Sequence, residues 1–515
     1  PRIFSPAMEE EEAAEEFGGE ADSMEVDTFE PPPMNQEDSW FIIDSFFQEK
    51  GLVFQQLGSF DQFIMYEIQR IVDAQTPIEI IPQNQYNPDD KVETKKLYRW
   101  RFGQLHFNKP TQDEPDGTSR MLTPREARLR NLSYAAPVFV DIFQEIYHIN
   151  EDESRTLMSE HVYKKVFLMR FPIMVRTEYC WLKSANDRLL TEFGECPLDQ
   201  GGYFVINGSE KVLIALERMA NNFVYAFAKN QPSKYLWVCE IRSALFEGSA
   251  GNSGFAVKMM TDMGGKSFCR GQLVCTCPYI RTEIPVVVVF RALGIVADKD
   301  ILEKIVYDLS DFLMLNACRK SIEDAAPINT QEMALDYIAK RGPTMGATRD
   351  IRIQYARELL QKELLPHVGR TANIEGRKAY FIGYMTNRLL LGLIGRNAED
   401  DRDHFGKKRV DLAGALVQGS FTGLWRKTTS DVRKALQKIV DKGKEPDIAE
   451  TLKVVSSLST GMKYQFATGN WGQDKAGKPV RSGISQGLNR LTFMATLSHL
   501  RRMITPLARS GKLVK

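Results

Sequence analysis

The chain has 515 residues, enough for two to four domains with sizeable buried cores. Its hydrophobic content of 43% and charged content of 26% are those of an ordinary soluble protein. Basic and acidic side chains balance at 67 each, but residues 1–38 carry Arg2 as their only base, while residues 405–515 hold about twenty basic side chains against about seven acidic ones. A polyanion is drawn to the second region and repelled by the first.

Seven scattered cysteines, an odd number and without a CxxC pair, argue against a disulfide-framed scaffold and fit a reducing compartment. Cys269, Cys275 and Cys277 lack the second half of a zinc knuckle. The longest apolar runs, 284–295 (broken by Arg291) and 389–394, are shorter than the ~20 residues of a membrane span. With no signal-peptide core, the expectation is a soluble intracellular protein. The first residue, which is not Met, and the unfinished basic run at Lys515 read as cut ends.

In chain order, the acid-rich residues 1–37, with Pro31, Pro32 and Pro33, are expected to be a disordered tail. Order is expected from Ser39. Trp40, Ile43 and Phe47 recur at helical spacing and Gly51 can close the helix; Ser59 and Gln62 form a capping box ahead of Phe60, Phe63, Ile64, Ile68 and Ile71. The period then switches to two. Tyr98, Trp100 and Phe102 alternate with Arg99 and Arg101, Gly103 can turn, and Leu105 and Phe107 continue, which predicts a hairpin. Further strands are expected at 166–175 and 180–182. In "YFVINGSEKVLIA" (203–215), Asn207-Gly208 supplies the positive φ angles of a tight hairpin turn. From about 325 to 395, and again over 424–442, the apolar period is helical, the second stretch with its Lys and Arg on one side. The pattern is α+β and multidomain: a mixed first region, a strand-to-helix middle from about Met219, and a basic helical end.

Catalytic signatures are few. "GGKSF" (264–268) has Met260 where a phosphate loop needs Gly, and reads as a polar loop. The six histidines never pair at ligand spacing, and no GxSxG elbow occurs. Ser498 and His499 are adjacent, but a triad is a matter of geometry, and His499 reads as structural or facing nucleic acid. "DRDHFGKKRVDLAG" (401–414) sets acids beside Lys407, Lys408 and Arg409: either a metal site or, as preferred here, an ion-paired corner joining two segments.

The last fifty residues carry the strongest signal. "GNWGQDKAGKPVRSG" (469–483) is a glycine-rich loop bearing Lys475, Lys478 and Arg481. A helix is expected to start near Ser485, with Gln486, Asn489 and Arg490 away from its apolar side, and Arg501, Arg502, Arg509, Lys512 and Lys515 follow. Fixed positive charge beside amide side chains suits contact with a phosphate backbone.

These segments, together with "EDSWFIIDSFFQEKGLVFQQLGSFDQF" (37–63), "EARLRNLSYAAPVFVDI" (126–142), "GGYFVINGSEKVLIALER" (201–218) and "SGISQGLNRLTFMATLSHLRR" (482–502), resemble the second-largest subunit of multisubunit DNA-directed RNA polymerases, most closely that of RNA polymerase II. The resemblance runs in order over residues 37–515 and implies an amino-terminal fragment. It implies a mixed protrusion domain (38–218 and 410–465), an inserted lobe domain (219–409) and the beginning of the fork (466–515). The implied function is contact with template DNA and the RNA–DNA hybrid during DNA-templated RNA synthesis in the nucleus. Alternatives are the equivalent subunit of another nuclear polymerase or a non-catalytic nucleic-acid-binding scaffold. By matched position, the nucleic-acid-binding residues are Lys211, Lys475, Arg481, Gln486, Arg490, Arg501, Arg502, Arg509 and Lys512. No catalytic residue is expected here: the Mg2+ of the assembled enzyme is bound mainly by the largest subunit, which with the smaller subunits, DNA and RNA makes up the implied partners, with no membrane. Where the family's eukaryotic pattern reads "NTPIGRDGKLAK", this chain has Ala508 in place of Gly and Ser510 in place of Asp.

Overall fold

A computed structural model describes residues 34–81, 95–149, 154–245, 253–261, 271–342, 348–371, 373–473 and 479–505. The Pro31–Pro33 run, the 264–268 loop, Cys269, Lys475, Lys478, Ala508, Arg509, Ser510, Lys512 and Lys515 lie outside the described residues. The chain divides into two compact units, residues 1–52 and 53–515.

In the first unit, the helix Gln36–Lys50 starts earlier than Ser39 because the Asn35 N–H donates to Asp38 Oδ2 at 3.1 Å. Gly51 closes it at φ 78, its N–H on the Phe47 carbonyl, as its position after the apolar period suggests. None of this helix's residues is buried.

The second unit begins with a helical run, Phe54–Gln62, Phe63–Glu67 and Ile68–Asp73, whose middle turn is π-helical. Ser59 therefore lies inside a helix instead of capping one. Its Oγ accepts the Gly414 N–H at 2.9 Å, a partner supplied from far along the chain. Phe60, Phe63, Ile64, Ile68 and Ile71 are buried, as their spacing predicts.

This run packs with an antiparallel four-stranded sheet in the order Ile78–Ile80, Lys95–Phe107, Ala135–Ile149, Arg155–Pro172. The segment expected to turn at Gly103 is one continuous strand, paired with residues 138–149 and bulged between Phe102 and Leu105. The apolar period slips from even (Trp100, Phe102) to odd (Leu105) across that point, which is what one extra residue in a strand produces. Residues 180–182, expected as a strand, lie in turns, and the 166–175 strand ends at Pro172.

One hydrophobic core joins residues 53–216 to residues 413–500. The long helix Ala413–Val440 supplies Leu416, Phe421, Trp425, Val432 and Leu436, with Phe102 and Trp425 ring centroids 4.9 Å apart. A second core, residues 224–393, belongs to the interposed segment. It is a five-stranded antiparallel sheet (Val224–Ala228, Tyr235–Ser243, Ser253–Met260, Leu273–Thr276, Ile284–Pro285) followed by helices from Val286–Ala292 to Glu375–Ile394. The architecture is mixed α and β, with strands preceding helices in the interposed part. No helix among the described residues is long and apolar enough to cross a membrane.

Candidate nucleic-acid interface

The local chemistry of the Tyr203–Ala215 stretch builds the foundation of the site. Asn207 (φ 48) and Gly208 (φ 77) turn the chain between the paired strands Phe204–Ile206 and Ser209–Leu213, as expected. The free edge of that hairpin is taken by Ser485–Gly487, with Ser485 opposite Leu213, Gln486 opposite Val212 and Gly487 opposite Lys211. Residues more than 270 positions apart thus become neighbours, and Lys211 is brought beside the carboxyl-terminal segment.

The helix expected from Ser485 begins instead at Phe493, capped by Thr492, whose Oγ1 accepts the Ala495 N–H at 3.0 Å. The open strand edge outcompetes local helix propensity, because it satisfies the backbone of 485–488 directly: the Leu488 N–H reaches the Glu210 carbonyl at 2.9 Å. The Ser485 hydroxyl donates to the Phe466 carbonyl at 2.6 Å in the core. Gln486 therefore sits on a strand and Arg490 in the connection, not on the helix. Alternation also puts Lys211 and Gln486 on opposite faces of this sheet, since Gln486 pairs with Val212.

His499 organises the connection. It is 4% exposed; its Nδ1 accepts the Asn489 N–H at 3.1 Å, which leaves the proton on Nε2 to be donated to Gln486 Oε1 at 3.2 Å. Both nitrogens are engaged, so the Ser498–His499 pair is not a nucleophile and its base. Burial, and secondarily the charge of Arg502, push the imidazole pKa down. A folded-state pKa below the unfolded value of about 6.5 means that this contribution to stability is complete above that pH and is lost as pH falls through the lowered value. Acidification from pH 7.5 to 5 is expected to speed hydrogen exchange of the Asn489 amide, after correction for intrinsic rate, while the Tyr134 amide on the Val205 carbonyl stays protected. Equal protection of Asn489 at both pH values would refute the acceptor role of Nδ1.

Arg490 is exposed, yet its guanidinium is engaged within the fold. Its guanidinium bonds Glu210 (Nε–Oε2 2.8 Å, Nη2–Oε1 3.1 Å) and Asp199 (3.3 Å to each oxygen) and lies 4.8 Å from the Tyr203 ring centroid. Arg128 completes the cluster, reaching Glu210 and both oxygens of Glu195 at 2.9 Å and the Tyr203 hydroxyl at 3.0 Å. Tyr203, kept neutral by burial that pushes its pKa well up, donates to Asp199 Oδ2 at 2.6 Å. Burial pushes Asp199 upward, but the bonds from Tyr203 and Arg490 outweigh it and hold the carboxyl below its usual range. Arg490, one of the expected nucleic-acid contacts, is thus also held by two carboxylates of the fold. The cluster borders a cavity of about 920 Å³ whose apolar lining includes Leu488, Leu491, Leu497 and Leu500. Sequence inspection missed Arg128, Glu195, Asp199 and Tyr203, which carry no shared motif and meet only in the fold.

Among the other expected contacts, Arg481 is exposed at the end of a short strand, opposite Trp471, whose buried indole N–H donates to the Leu416 carbonyl at 2.9 Å. Arg501 and Arg502 are exposed just past the helix Phe493–Leu500, and Lys211 is half-buried. The helix end is held from beneath by Gln56, whose amide donates to the carbonyls of Leu213 (2.9 Å) and Leu500 (3.2 Å). Beyond it, Met503–Ile504 joins a three-stranded sheet with Ala215–Met219 and Lys408–Asp411.

That last strand belongs to the charged corner, which is an ion-paired junction. Lys407 reaches Asp400 (2.6 Å), Arg388 also holds Asp400 (3.0 Å), Arg218 holds Asp411 (2.8 Å), and Lys408 pairs with Glu217. Within the preceding turn, Asp401 accepts the Asp403 N–H, and His404 Nδ1 accepts that of Gly406. Among the described residues no group of three or more His, Cys, Asp or Glu is arranged to hold a metal.

The segment thus presents exposed cations, Arg481, Arg501 and Arg502, on a substructure held by internal ion pairs. A sequence model described as "RNA polymerase beta subunit" matches residues 51–459, and the chain belongs to that family. It is 49% identical over 504 residues to DNA-directed RNA polymerase II subunit 2 of Arabidopsis thaliana, covering 96% of this chain and 42% of that relative. It is 47% identical over 491 residues to DNA-directed RNA polymerase II subunit RPB2 of Schizosaccharomyces pombe, covering 94% and 40%. DNA-directed RNA polymerase subunit Rpo2N of Methanococcus vannielii is 31% identical over 473 residues, covering 92% of this chain and 87% of the relative. The chain spans about two-fifths of the length of the RNA polymerase II relatives.

Proposed function

We propose that this chain is the amino-terminal part of the second-largest subunit of a nuclear RNA polymerase II, and that within the assembled nucleotidyltransferase it grips template DNA and the RNA–DNA hybrid. The relatives' names support the assignment. The observation that carries the grip is the pairing of Ser485–Gly487 with the 209–213 strand, which brings Gln486, Arg501 and Arg502 to one small sheet and helix, with Lys211 on the opposite face of that sheet. Arg481 lies on the approach to it, and Lys475, Arg509 and Lys512 extend the set by sequence position. Arg490 serves as the internal anchor of the group. The two hydrophobic cores support the naming of residues 38–218 and 410–465 as protrusion, 219–409 as lobe and 466–515 as fork. In this reading the Mg2+ chemistry of nucleotide addition belongs mainly to the largest subunit, and the part of the residues described here is to hold the nucleic acid in place.

The test is Arg481→Ala with Arg502→Ala in the assembled polymerase. Each lost phosphate contact flattens the dependence of log K on log salt by roughly 0.7–0.9, so the pair is expected to flatten it by about 1.5 and to shorten the life of elongation complexes at moderate salt. Complexes as durable as wild type at every salt concentration would remove these two residues from the interface.

A further inference from the structure

The long helix Ala413–Val440 raises a question that its role in the core does not answer. Its inner face is apolar, yet Lys427, Arg433, Lys434 and Lys438, followed by Lys442, are exposed and make no ion pair among the described residues. Other exposed helices here are built differently, with a cation one turn from an acid: Lys299 with Glu303 (3.7 Å), Arg319 with Glu323 (2.8 Å), Lys362 with Glu358 (3.4 Å). On the long helix the spacing is reversed in sense. Lys434 and Lys438 stand one turn apart, where like charges cost a few tenths of a kcal/mol, and Lys442 follows in the turn just past the helix. The acids of the stretch, Asp431 and Asp441, are half-buried, and Asp441 accepts a bond from Gln437 at 2.8 Å. A self-repelling row is relieved by a polyanion lying on it.

The remaining exposed positions narrow the kind of polyanion. They are Ala415, Gly419, Gly423, Arg426 and Ser430, while the aromatic residues Phe421 and Trp425 face the core. Unpaired bases find no stacking platform on this face, and small side chains let a backbone come close. From Lys427 to Lys438 the row is about 16 Å long at about 1.5 Å per residue, roughly half a duplex turn, and Lys442 extends it just past the helix end. We infer that the exposed face of Ala413–Val440 is a docking surface for the phosphate backbone of a double-stranded nucleic acid, read without regard to sequence. This surface stands on the helix's own charges and is separate from the Arg481 and Arg502 set.

The test uses the full chain with Lys434→Ala, Lys438→Ala and Lys442→Ala combined, titrated with a fluorescein-labelled duplex DNA of about 30 base pairs, and with one of its strands alone, across about 50–200 mM KCl. For the duplex, the slope of log K against log salt is expected to flatten by about 2.7, with single-strand binding much less affected. The melting temperature is expected to hold or rise, because alanine is a strong helix former and the repulsion is gone. An unchanged duplex slope overturns the proposal, as does equal loss with the single strand. So does loss of binding to a polyglutamate peptide with the duplex slope intact, which would make the surface one for an acidic protein. Running Arg481→Ala with Arg502→Ala in parallel separates the two surfaces: a slope change in that variant alone would sink the helix surface and leave the other standing.

Discussion

Replacing Arg490 with leucine is expected to destabilise the chain by roughly 2–3 kcal/mol, more than any other single change to an exposed cation of the site. The side chains of Asp199 and Glu210 are only 13% and 17% exposed, and Arg490 is the partner that holds both. Leucine preserves part of the packing on Tyr203 but leaves Glu210 with Arg128, and Asp199 with the Tyr203 phenol and a long bond from the Gly201 N–H. Because Asp199 titrates below its usual range in the fold, its contribution is present above the unfolded value of about 3.9 and is lost as pH falls through the lowered one. The deficit of the variant should therefore be full at pH 7 and shrink on acidification below about pH 4. Chemical denaturation at several pH values, with hydrogen exchange at the Leu488 amide, measures it. Wild-type stability with a flattened salt dependence would mean that Arg490 serves nucleic acid directly, as its sequence position suggested.

Gly469→Val is expected to cost about 3 kcal/mol or more. Gly469 ends the helix Ser457–Thr468 at φ 75, a conformation that a β-branched residue adopts only with strain. A Cβ there would lie 2.4 Å from the Ser485 carbonyl oxygen, and backbone cannot swing aside as a side chain can. The relief is to push Ile484–Gly487 off the hairpin edge, breaking the Ile214 N–H bond to the Ile484 carbonyl (2.9 Å). Loss of exchange protection at Ile214, with protection intact in the 224–393 core, is the expected signature. Protection at Ile214 equal to wild type would show that the close approach is not maintained in solution.

The two substitutions touch features of different legibility. Glycine after a run of helical period is readable as a helix end, and the 469–483 stretch was readable as glycine-rich and basic. That Gly469 meets Ser485, or that Arg490 meets Asp199, was not, because neither partner is marked by composition or spacing. The charge row of 424–442 was visible, since a helical period puts residues four apart on one face whatever surrounds them. What was invisible was that Lys427, Arg433, Lys434 and Lys438 make no ion pair among the described residues. The Gly103 bulge was written in the sequence as a change of phase and was misread as a turn, because a glycine between two alternating runs fits both until the paired strand is known.

By itself the sequence determined what depends on near neighbours: the Asn207-Gly208 hairpin, the strand-then-helix order of the middle region, the buried positions 60, 63, 64, 68 and 71 of the helical run after Val53, and the excess of positive charge toward the carboxyl end. Its resemblance over most of its length also pointed to the family. The tertiary structure alone decided whether 485–487 would be helix or strand, which arginine would be spent inside the protein, and which cations would remain for a ligand. The physical reason is that a hairpin edge more than 270 positions away, and acids scattered between 195 and 210, compete for the same backbone and guanidinium groups that local preference would send elsewhere.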